Sequence, residues 1–270
     1  MSVEYTRNLG KKSEYQTTYT PSLLDAIPRK LGRNEININD ELPFMGFDLW
    51  TAFEISWLNE KGKPETSIAE IKVPCTSPNL IESKSLKLYL NSFNQTKVES
   101  KQQVKEMIEQ DLSNITKSNV TLIMNEIEQK IQKPCGSCID DVDIEVTNYN
   151  FNPSLLEKST LDKNVNEILY SKLLKSNCLV TNQPDWGTVF IKYSGKEIIK
   201  ENLLRYIISF RLHNEFHEQC VERIFCDIKK YCKPDKLTVF ARYTRRGGLD
   251  INPFRSDFEN EVPSGRLANQ

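Results

Sequence analysis

A cysteine and an aspartate close together in the sequence are the first candidates for chemistry. Cys178 opens the stretch Cys-Leu-Val-Thr-Asn-Gln-Pro-Asp-Trp-Gly, and Asp185 follows seven residues later across a proline-containing turn. Such a turn could fold the acid back towards the thiol, so that the thiolate attacks an electrophilic carbon and the acid manages the proton. The spacing alone also fits a structural thiol beside a turn aspartate, because most cysteines in a cytosolic protein are inert.

The only two histidines, His213 and His217, lie four residues apart, with Asn214, Glu215 and Glu218 around them. A helical spacing of four places both rings on one face. One carboxylate here could accept hydrogen bonds from a ring N–H and the exocyclic amine of a guanine-like base, each contributing roughly 1.5–3 kcal/mol. In the structural alternative, Asn214 caps a helix and the two glutamates favour the positive end of its dipole.

Two basic stretches are candidates for phosphate binding. The stretch Glu82-Ser-Lys-Ser-Leu-Lys87 opens a predicted helix with hydroxyl groups, backbone N–H groups and lysines, a combination that suits a phosphate. In the second stretch, Arg245 and Arg246 precede Gly247 and Gly248, so the arginines could clamp a 2′-phosphate while the backbone approaches closely. A capped helix with solvated lysines and an ordinary surface turn also explain these two stretches.

Several common kinds of site are excluded. The sequence contains no GxGxxG after a strand, no GxxxxGK[ST] loop and no GxSxG nucleophile elbow. Cys135 and Cys138 have the spacing of a metal knuckle, but no second CxxC or histidine pair follows to complete the four ligands of a structural zinc site. We therefore expect no metal and interpret these two thiols as incidental.

Composition and charge indicate a globular protein of the reducing cytoplasm. The chain has 270 residues, 38% hydrophobic and 27% charged, and its net charge of -1 gives no reason to expect direct binding of nucleic acid or membrane. The start of the sequence has no apolar signal region, and no apolar run is long enough to span a membrane. An odd number of cysteines, seven, fits free thiols.

The hydrophobic pattern predicts the same order of elements in both halves. The first half has strands at Phe47 to Leu58 and Thr66 to Val73, helices at Ser83 to Phe93 and Lys101 to Ile115 with Ser100 as N-cap, and strands near 120–124 and 142–146. The second half has strands at Cys178 to Thr181 and Thr188 to Tyr193, helices at Lys200 to His213 and Asn214 to Tyr231, and a strand at Lys236 to Thr244.

A shift of 117 residues superposes the helices of the two halves, as it does for Leu86 on Leu203, Tyr89 on Tyr206 and Phe93 on Phe210. We infer a duplicated pair of α+β modules, 1–150 and 151–270, joined by a polar linker near Thr147 to Asp162. Each module is predicted to be a four-stranded antiparallel sheet with two helices. Closing the sheet edges side by side would give a composite site from both halves and a homo-oligomer.

Taken together, these stretches closely resemble one family, the 7-cyano-7-deazaguanine reductases, which are the nitrile reductases of queuosine biosynthesis. The segment from Pro78 to Asn94 is similar to the signature of that family, and the blocks 178–187, 213–220 and 243–253 follow in the same order. The resemblance covers nearly the whole chain in the long, two-module form of the family. It implies the tunnelling fold (T-fold), in agreement with the duplicated order of elements.

The resemblance also implies a role for each candidate residue. Cys178 would add to the nitrile carbon and form a thioimide, with Asp185 as proton donor. Substrate contacts would come from the set Ile81, Glu82, Ser83, His217 and Glu218, and the last of these would anchor the base edge. NADPH contacts would come from the set Ser83, Lys84, Arg246 and Gly247. The reaction would consume two NADPH and give 7-aminomethyl-7-deazaguanine, in a cytoplasmic homodimer.

Two other functions fit the same residues. In a thiol hydrolase of this fold, water would attack the thioimide to give an amide, and Lys84 and Arg246 would have no cofactor to bind. In a non-catalytic purine- or RNA-binding module, Cys178 would serve only for packing, although the near-neutral charge argues against direct binding of RNA.

Overall fold

The computed structural model of the protein describes residues 15–39, 41–125, 131–261 and 265–270. These residues form two compact units. The first unit comprises 15–35, 47–125 and 245–250, and the second comprises 36–39, 41–46, 131–244, 251–261 and 265–270. Because both units take segments from distant parts of the sequence, the module boundary proposed at residue 150 stays a prediction.

The first unit combines an antiparallel sheet with two long helices. Its elements along the chain are β1 (Ala26–Pro28), α1 (Arg29–Glu35), β2 (Met45–Leu58, of which all but the first two residues belong here), β3 (Pro64–Pro74), β4 (Asn79–Ile81), α2 (Ser83–Asn91), α3 (Lys101–Thr116) and β5 (Thr121–Asn125). The sheet has the strand order β5-β3-β2, and β1 pairs separately with β4.

The second unit repeats this design with longer strands. Its elements are β6 (Ile131–Gln132), β7 (Ser137–Cys138), β8 (Thr160–Asn177), β9 (Pro184–Ile198), α4 (Lys200–Ile208), α5 (His217–Tyr231), β10 (Lys236–Tyr243), β11 (Leu249–Ser256, of which all but the first two residues belong here) and β12 (Arg266–Leu267). Strands β8 to β11 form the antiparallel order β11-β10-β9-β8, β7 adds a short parallel edge beside β8, and β12 pairs with β6.

The predicted duplication of an α+β module is confirmed in the helices. A shift of 117 residues carries α2 onto the observed bounds of α4, and carries α3 onto α5 to within two residues at each end. Ser100 caps α3 as expected, because its hydroxyl accepts the Gln103 N–H at 3.1 Å. The second unit shows the predicted four antiparallel strands, β8 to β11.

The likeness extends to a short segment that lies against each first helix. The repeated letters Pro-Ser-Leu-Leu begin a 3-10 turn at Pro21–Leu23 and again at Pro153–Leu156. In the first unit the backbone N–H of Thr20 donates to the Ser92 hydroxyl at 3.1 Å, and in the second unit that of Asn152 donates to the Ser209 hydroxyl at 3.2 Å. Each module is therefore closed by the same hydrogen bond.

Four predictions of local structure are wrong. Residues 142–146 form no strand, although their alternate side chains are half-buried as a strand pattern requires. The strand expected to begin at Cys178 instead ends at Asn177, and the expected linker contains the start of β8, whose polar first half hides the strand from a hydrophobicity pattern. Helix α5 begins at His217 with Phe216 as N-cap, so Asn214 is not its cap.

The core of the second unit lies between α5 and the sheet. The buried stripe of α5 packs on β10, where every second residue is fully buried. These positions are Val221, Ile224, Phe225 and Ile228 on the helix, and Leu237, Val239, Ala241 and Tyr243 on the strand. Burying each large apolar side chain contributes roughly 1.5–3 kcal/mol, so this contact fixes where α5 begins and hence where His217 lies.

A buried ion pair also fastens α5 to the sheet. The Arg255 guanidinium on β11 donates to one Glu222 oxygen from Nε at 3.1 Å and from Nη2 at 2.9 Å, and both residues are almost fully buried. Arg255→Met leaves a buried carboxylate without this partner, so we expect the free energy of unfolding to fall by about 3–5 kcal/mol in urea denaturation. The double variant Arg255→Met/Glu222→Met should recover most of the loss, and no recovery would contradict this account.

Candidate active site

The strand register places Cys178 and Asp185 on the same face of a hairpin. Ser176 pairs with Asp185 across β8 and β9, and the Cys178 N–H continues the ladder by donating to the Gln183 carbonyl at 2.8 Å. Because side chains alternate along a strand, Cys178 projects on the side of Ser176 and Asp185. Asp185 is thus the diagonal neighbour of Cys178, a position within reach of side-chain contact. Both side chains are buried, each at 6% exposure.

The end of β8 is tied by backbone bonds to the residues that precede α5. The Asn177 N–H donates to the His213 carbonyl at 2.8 Å, and the Glu215 N–H donates to the Asn177 carbonyl at 3.0 Å. Two residues later α5 begins, with His217 and Glu218 in its first turn. The nucleophile candidate and the proposed base-binding residues of this unit therefore belong to one hydrogen-bonded piece of structure.

His217 and Asp185 approach each other from the helix and the hairpin. His217 Nε2 lies 3.6 Å from Asp185 Oδ1, and the imidazole ring stands edge-on to the Tyr243 ring with centroids 4.3 Å apart. Gly187 makes room for the Tyr243 ring, since a Cβ at Gly187 would stand 3.0 Å from Tyr243 Cδ1. A proton carried by the imidazole would thus be within reach of the Asp185 carboxylate.

Charged groups of both signs surround this hairpin. Glu218 is 4% exposed at the positive end of the α5 dipole, which stabilises its charge. Glu215 is neutralised by a bidentate pair with Arg223, whose Nε and Nη2 lie 2.9 and 2.6 Å from Glu215 Oε1. Burial lowers the pKa of Lys175, and Arg211 lowers it further, while the nearby Asp185 opposes both.

In the first unit, Glu82 has a structural task as well as its predicted binding role. The carboxylate caps α2, accepting the Lys84 N–H at 2.8 Å and the Ser85 N–H at 2.7 Å. It is fully buried, and burial raises the pKa of the Glu82 carboxyl although these two N–H groups lower it. Two of the backbone N–H groups predicted to hold a phosphate here, those of Lys84 and Ser85, therefore already bond to this carboxylate.

A tight glycine turn lies beside α2 in the same unit. Arg246 and Leu249 exchange backbone hydrogen bonds across Gly247 and Gly248, which have φ angles of +64° and +80°. A Cβ on Gly247 would stand 3.1 Å from Cδ of Lys87, one helical turn after Ser83 and Lys84. The structure thus brings the start of α2 and the Arg246–Gly247 turn together, and it places Lys87, which is not among the NADPH contacts implied by the resemblance, against this turn.

Two family models match most of this chain. One, described as "Nitrile reductase, 7-cyano-7-deazaguanine-reductase N-term", matches residues 15–124, and the other, described as "QueF-like protein", matches residues 184–261. The chain belongs to the QueF family of nitrile reductases. The T-fold of the QueF family agrees with the duplicated α+β units described above.

Membership of the QueF family decides between the three functional hypotheses. The protein is a nitrile reductase of queuosine biosynthesis with 7-cyano-7-deazaguanine as its small-molecule substrate, as the sequence analysis predicted. The first match includes Ile81 to Lys84, and the second includes Asp185, His217, Glu218, Arg246 and Gly247. Cys178 lies between the matched ranges. The individual roles of all these residues, Cys178 included, stay predictions.

The structure also bears on metal ions, membranes and the remaining thiols. Among the residues that the structure describes, no group of three or more His, Cys, Asp and Glu side chains could hold a metal ion. Over the same residues, no helix is both long and apolar enough to cross a membrane. Cys135 is exposed and Cys138 half-buried, and both are free thiols.

The thiols of this protein should differ sharply in reactivity. Burial raises the pKa of Cys232 to about 12 and raises that of Cys220 well above its ordinary value, with Glu215 adding to the second shift. We expect iodoacetamide at pH 8 to label exposed Cys135 in the native protein and to leave Cys220 and Cys232 unmodified until urea is added. Peptide mass spectrometry measures the order. Rapid native labelling of Cys220 would mean that the α5 contact opens readily.

Proposed function

We propose that the protein reduces 7-cyano-7-deazaguanine to 7-aminomethyl-7-deazaguanine through a thioimide on Cys178, with two NADPH consumed per nitrile. The observation that carries the proposal is the hairpin register, which sets a thiol and a carboxyl on one face beside an imidazole. Nucleophile, acid and base-binding groups are then supplied by a single hydrogen-bonded region of the second unit.

Cys178 is better suited as the nucleophile than the buried thiols Cys220 and Cys232. Cys220 and Cys232 are buried with a raised pKa, so the thiolate that attack requires is strongly disfavoured there. Cys178 directly follows the longest strand of the unit and opens a turn, next to a carboxyl that can take its proton. Sulfur adds to the nitrile carbon as the nitrogen gains a proton, and the C–S bond breaks again after the first reduction, which regenerates the thiol.

Asp185 supplies the proton for the nitrile nitrogen, and His217 lies where it can return a proton to Asp185. The carboxyl accepts the thiol proton during attack and donates it to the nitrile nitrogen, so no net charge develops in a buried site. The 3.6 Å between Nε2 of His217 and Oδ1 of Asp185 is long for a hydrogen bond but short enough for transfer once the groups tighten around substrate.

Glu218 recognises the base. Its carboxylate can accept a ring N–H and an exocyclic N–H of the deazaguanine together, and two charge-assisted bonds of this kind contribute roughly 1.5–3 kcal/mol each. His217 is its neighbour in the first turn of α5. In the first unit, Ile81, Glu82 and Ser83 keep the substrate-contact roles that the resemblance implies.

The first unit fits NADPH. Two NADPH supply the four electrons that a nitrile needs to become an amine. Gly247 has no Cβ, so the Lys87 side chain packs directly against the turn, where a Cβ would stand 3.2 Å from its Nζ. Arg246 precedes this glycine, so an ammonium and a guanidinium are available for a phosphate. The Ser83 hydroxyl and the Lys84 side chain stand one turn earlier on the same helix.

We further propose a homodimer in the cytoplasm. Seven free cysteines fit a reducing compartment. A net charge of -1 gives no electrostatic support for a direct contact with nucleic acid, so a free nucleobase is the substrate form that the charge favours.

Cys178→Ala should abolish both turnover and the covalent adduct, because no other group can form the C–S bond. The substrate is 7-cyano-7-deazaguanine with NADPH, turnover is followed by loss of NADPH absorbance, and the adduct is detected by intact-protein mass. Cys226→Ala, which removes a half-buried thiol in the middle of α5, is the matched control and should retain activity. An active Cys178→Ala enzyme would falsify the mechanism.

Substitutions in the two pockets should separate substrate from cofactor. Glu218→Ala removes the base-edge acceptor and should raise the KM for the nitrile by about 10- to 100-fold, since each lost charged hydrogen bond is worth roughly 1.5–3 kcal/mol. Arg246→Ala should raise the KM for NADPH and leave the KM for the nitrile unchanged. Steady-state kinetics with each substrate varied provides the measurement, and the reverse pattern would show that the pockets are misassigned.

A further inference from the structure

The turn that carries Cys178 has a counterpart in the first unit. Leu58, which ends β2, forms a parallel bridge with Lys97, and Asn177, which ends β8, forms the same bridge with Asn214. The backbone bonds correspond one for one. Leu58 bonds to Thr96 and Val98 at 2.9 and 2.8 Å, and Asn177 bonds to His213 and Glu215 at 2.8 and 3.0 Å. The residue after the bridge is Asn59 in the first unit and Cys178 in the second.

In the first unit the turn is stabilised from within. The Asn59 side-chain oxygen accepts the Lys61 N–H at 3.1 Å and the Lys63 N–H at 3.0 Å, and its amide donates to a Glu65 oxygen at 3.0 Å. An asparagine at the first position of a turn commonly makes such bonds, and they hold the turn in one conformation.

Cysteine cannot do the same at the equivalent position, because a thiol is only a weak hydrogen-bonding group. In the second unit a carboxamide reaches the turn from outside instead. The Asn214 amide donates to the Cys178 carbonyl at 3.3 Å and to the Asn182 side-chain oxygen at 3.0 Å, while its own oxygen accepts from the Asn177 amide at 3.4 Å. The position equivalent to Asn214 in the first unit is Lys97.

We propose that Asn214 is a positioning residue for the nucleophile, replacing the turn-stabilising bonds that are lost when this turn carries a cysteine. The proposal rests on the role of Cys178 in the proposed function. Asn214 grips both ends of the turn, at Cys178 and at Asn182, and it belongs to the loop that leads into α5. The thiol is thereby held in register with the residues that bind the base.

The gain from this grip is geometric. Asn182 has a φ angle of +56°, a left-handed conformation that asparagine tolerates, and the Asn214 amide holds its side-chain oxygen as well as the Cys178 carbonyl. Displacing a reacting group by about 1 Å can cost on the order of 100-fold in rate. Loss of the Asn214 amide should therefore slow bond formation at sulfur without changing how tightly the base is bound.

The test compares Asn214→Ala and the isosteric Asn214→Asp with wild-type enzyme. We expect kcat and the rate of adduct formation with 7-cyano-7-deazaguanine to fall by about 10- to 100-fold, with the KM for the nitrile within about twofold of wild type. Asn182→Gly, which keeps the left-handed backbone and removes one acceptor, should show a smaller loss. Asn59→Ala is the matched control: it removes the equivalent bonds from the first unit and should lower thermal stability while leaving kcat unchanged.

A second measurement separates this inference from the proposed function. The rate of iodoacetamide alkylation of Cys178 between pH 7 and 9 reports the placement of the thiol whether or not it is the nucleophile, and we expect it to change in Asn214→Ala and not in Asn59→Ala. If Cys178→Ala proves inactive but both Asn214 variants keep the wild-type kcat and alkylation rate, the positioning role is wrong. If Cys178→Ala is active, the proposed mechanism fails, and altered alkylation in Asn214→Ala would then support only the structural grip.

Discussion

The parallel bridge between the end of β8 and the loop before α5 is the contact on which the second unit's chemistry depends. Two backbone hydrogen bonds through Asn177 fix the distance between a hairpin turn and a helix start. The hairpin contributes Cys178 and Asp185, and the helix contributes His217 and Glu218. Strand pairing and helix packing are each rigid over a few residues, so this one junction suffices to set the geometry of four side chains.

The same junction exists in the first unit, where it serves no nucleophile. Gene duplication supplies two copies of a scaffold, and the chemistry resides where the copies differ. The start of α2 carries the buried Glu82, whereas the equivalent position at the start of α4 is Ile199, which has no polar side chain. The turn after β2 carries Asn59 and the turn after β8 carries Cys178. Departures from internal symmetry are thus a guide to function that needs no other sequence.

Much of the fold could be predicted from the sequence because its signals are local. The apolar stripes of α2 to α5 and the alternation in β2 and β3 follow directly from periodicity, and Ser100 is a recognisable cap. The first half of β8 could not be predicted, since its residues are polar and mostly exposed and its pairing with β9 is decided by tertiary contacts. The prediction for residues 142–146 failed in the opposite way: their sequence has the alternation of a strand, but the described residues form no strand pairing there.

The residues of the candidate site could be predicted from the sequence for a different reason. Residue types and the resemblance pointed to Cys178, Asp185, His217 and Glu218, but spacing alone could not show that Asp185 lies diagonal to Cys178, because that depends on the hairpin register. The sequence could not show the contacts of Lys87 and Asn214 for the same reason. One faces a glycine turn far along the chain, and the other was interpreted as a helix cap when its amide reaches across to a neighbouring turn.

The exchange of asparagine for cysteine after β8 has an evolutionary consequence. The turn at Cys178 is held by an amide from a neighbouring loop, so positions 178 and 214 should not vary independently of each other. Selection for stability alone would favour an asparagine at position 178, and only the need for a reactive sulfur opposes this substitution. In a chain of two modules this constraint falls on one turn only, because the turn of the first unit keeps the bonds of Asn59 while that unit serves in binding.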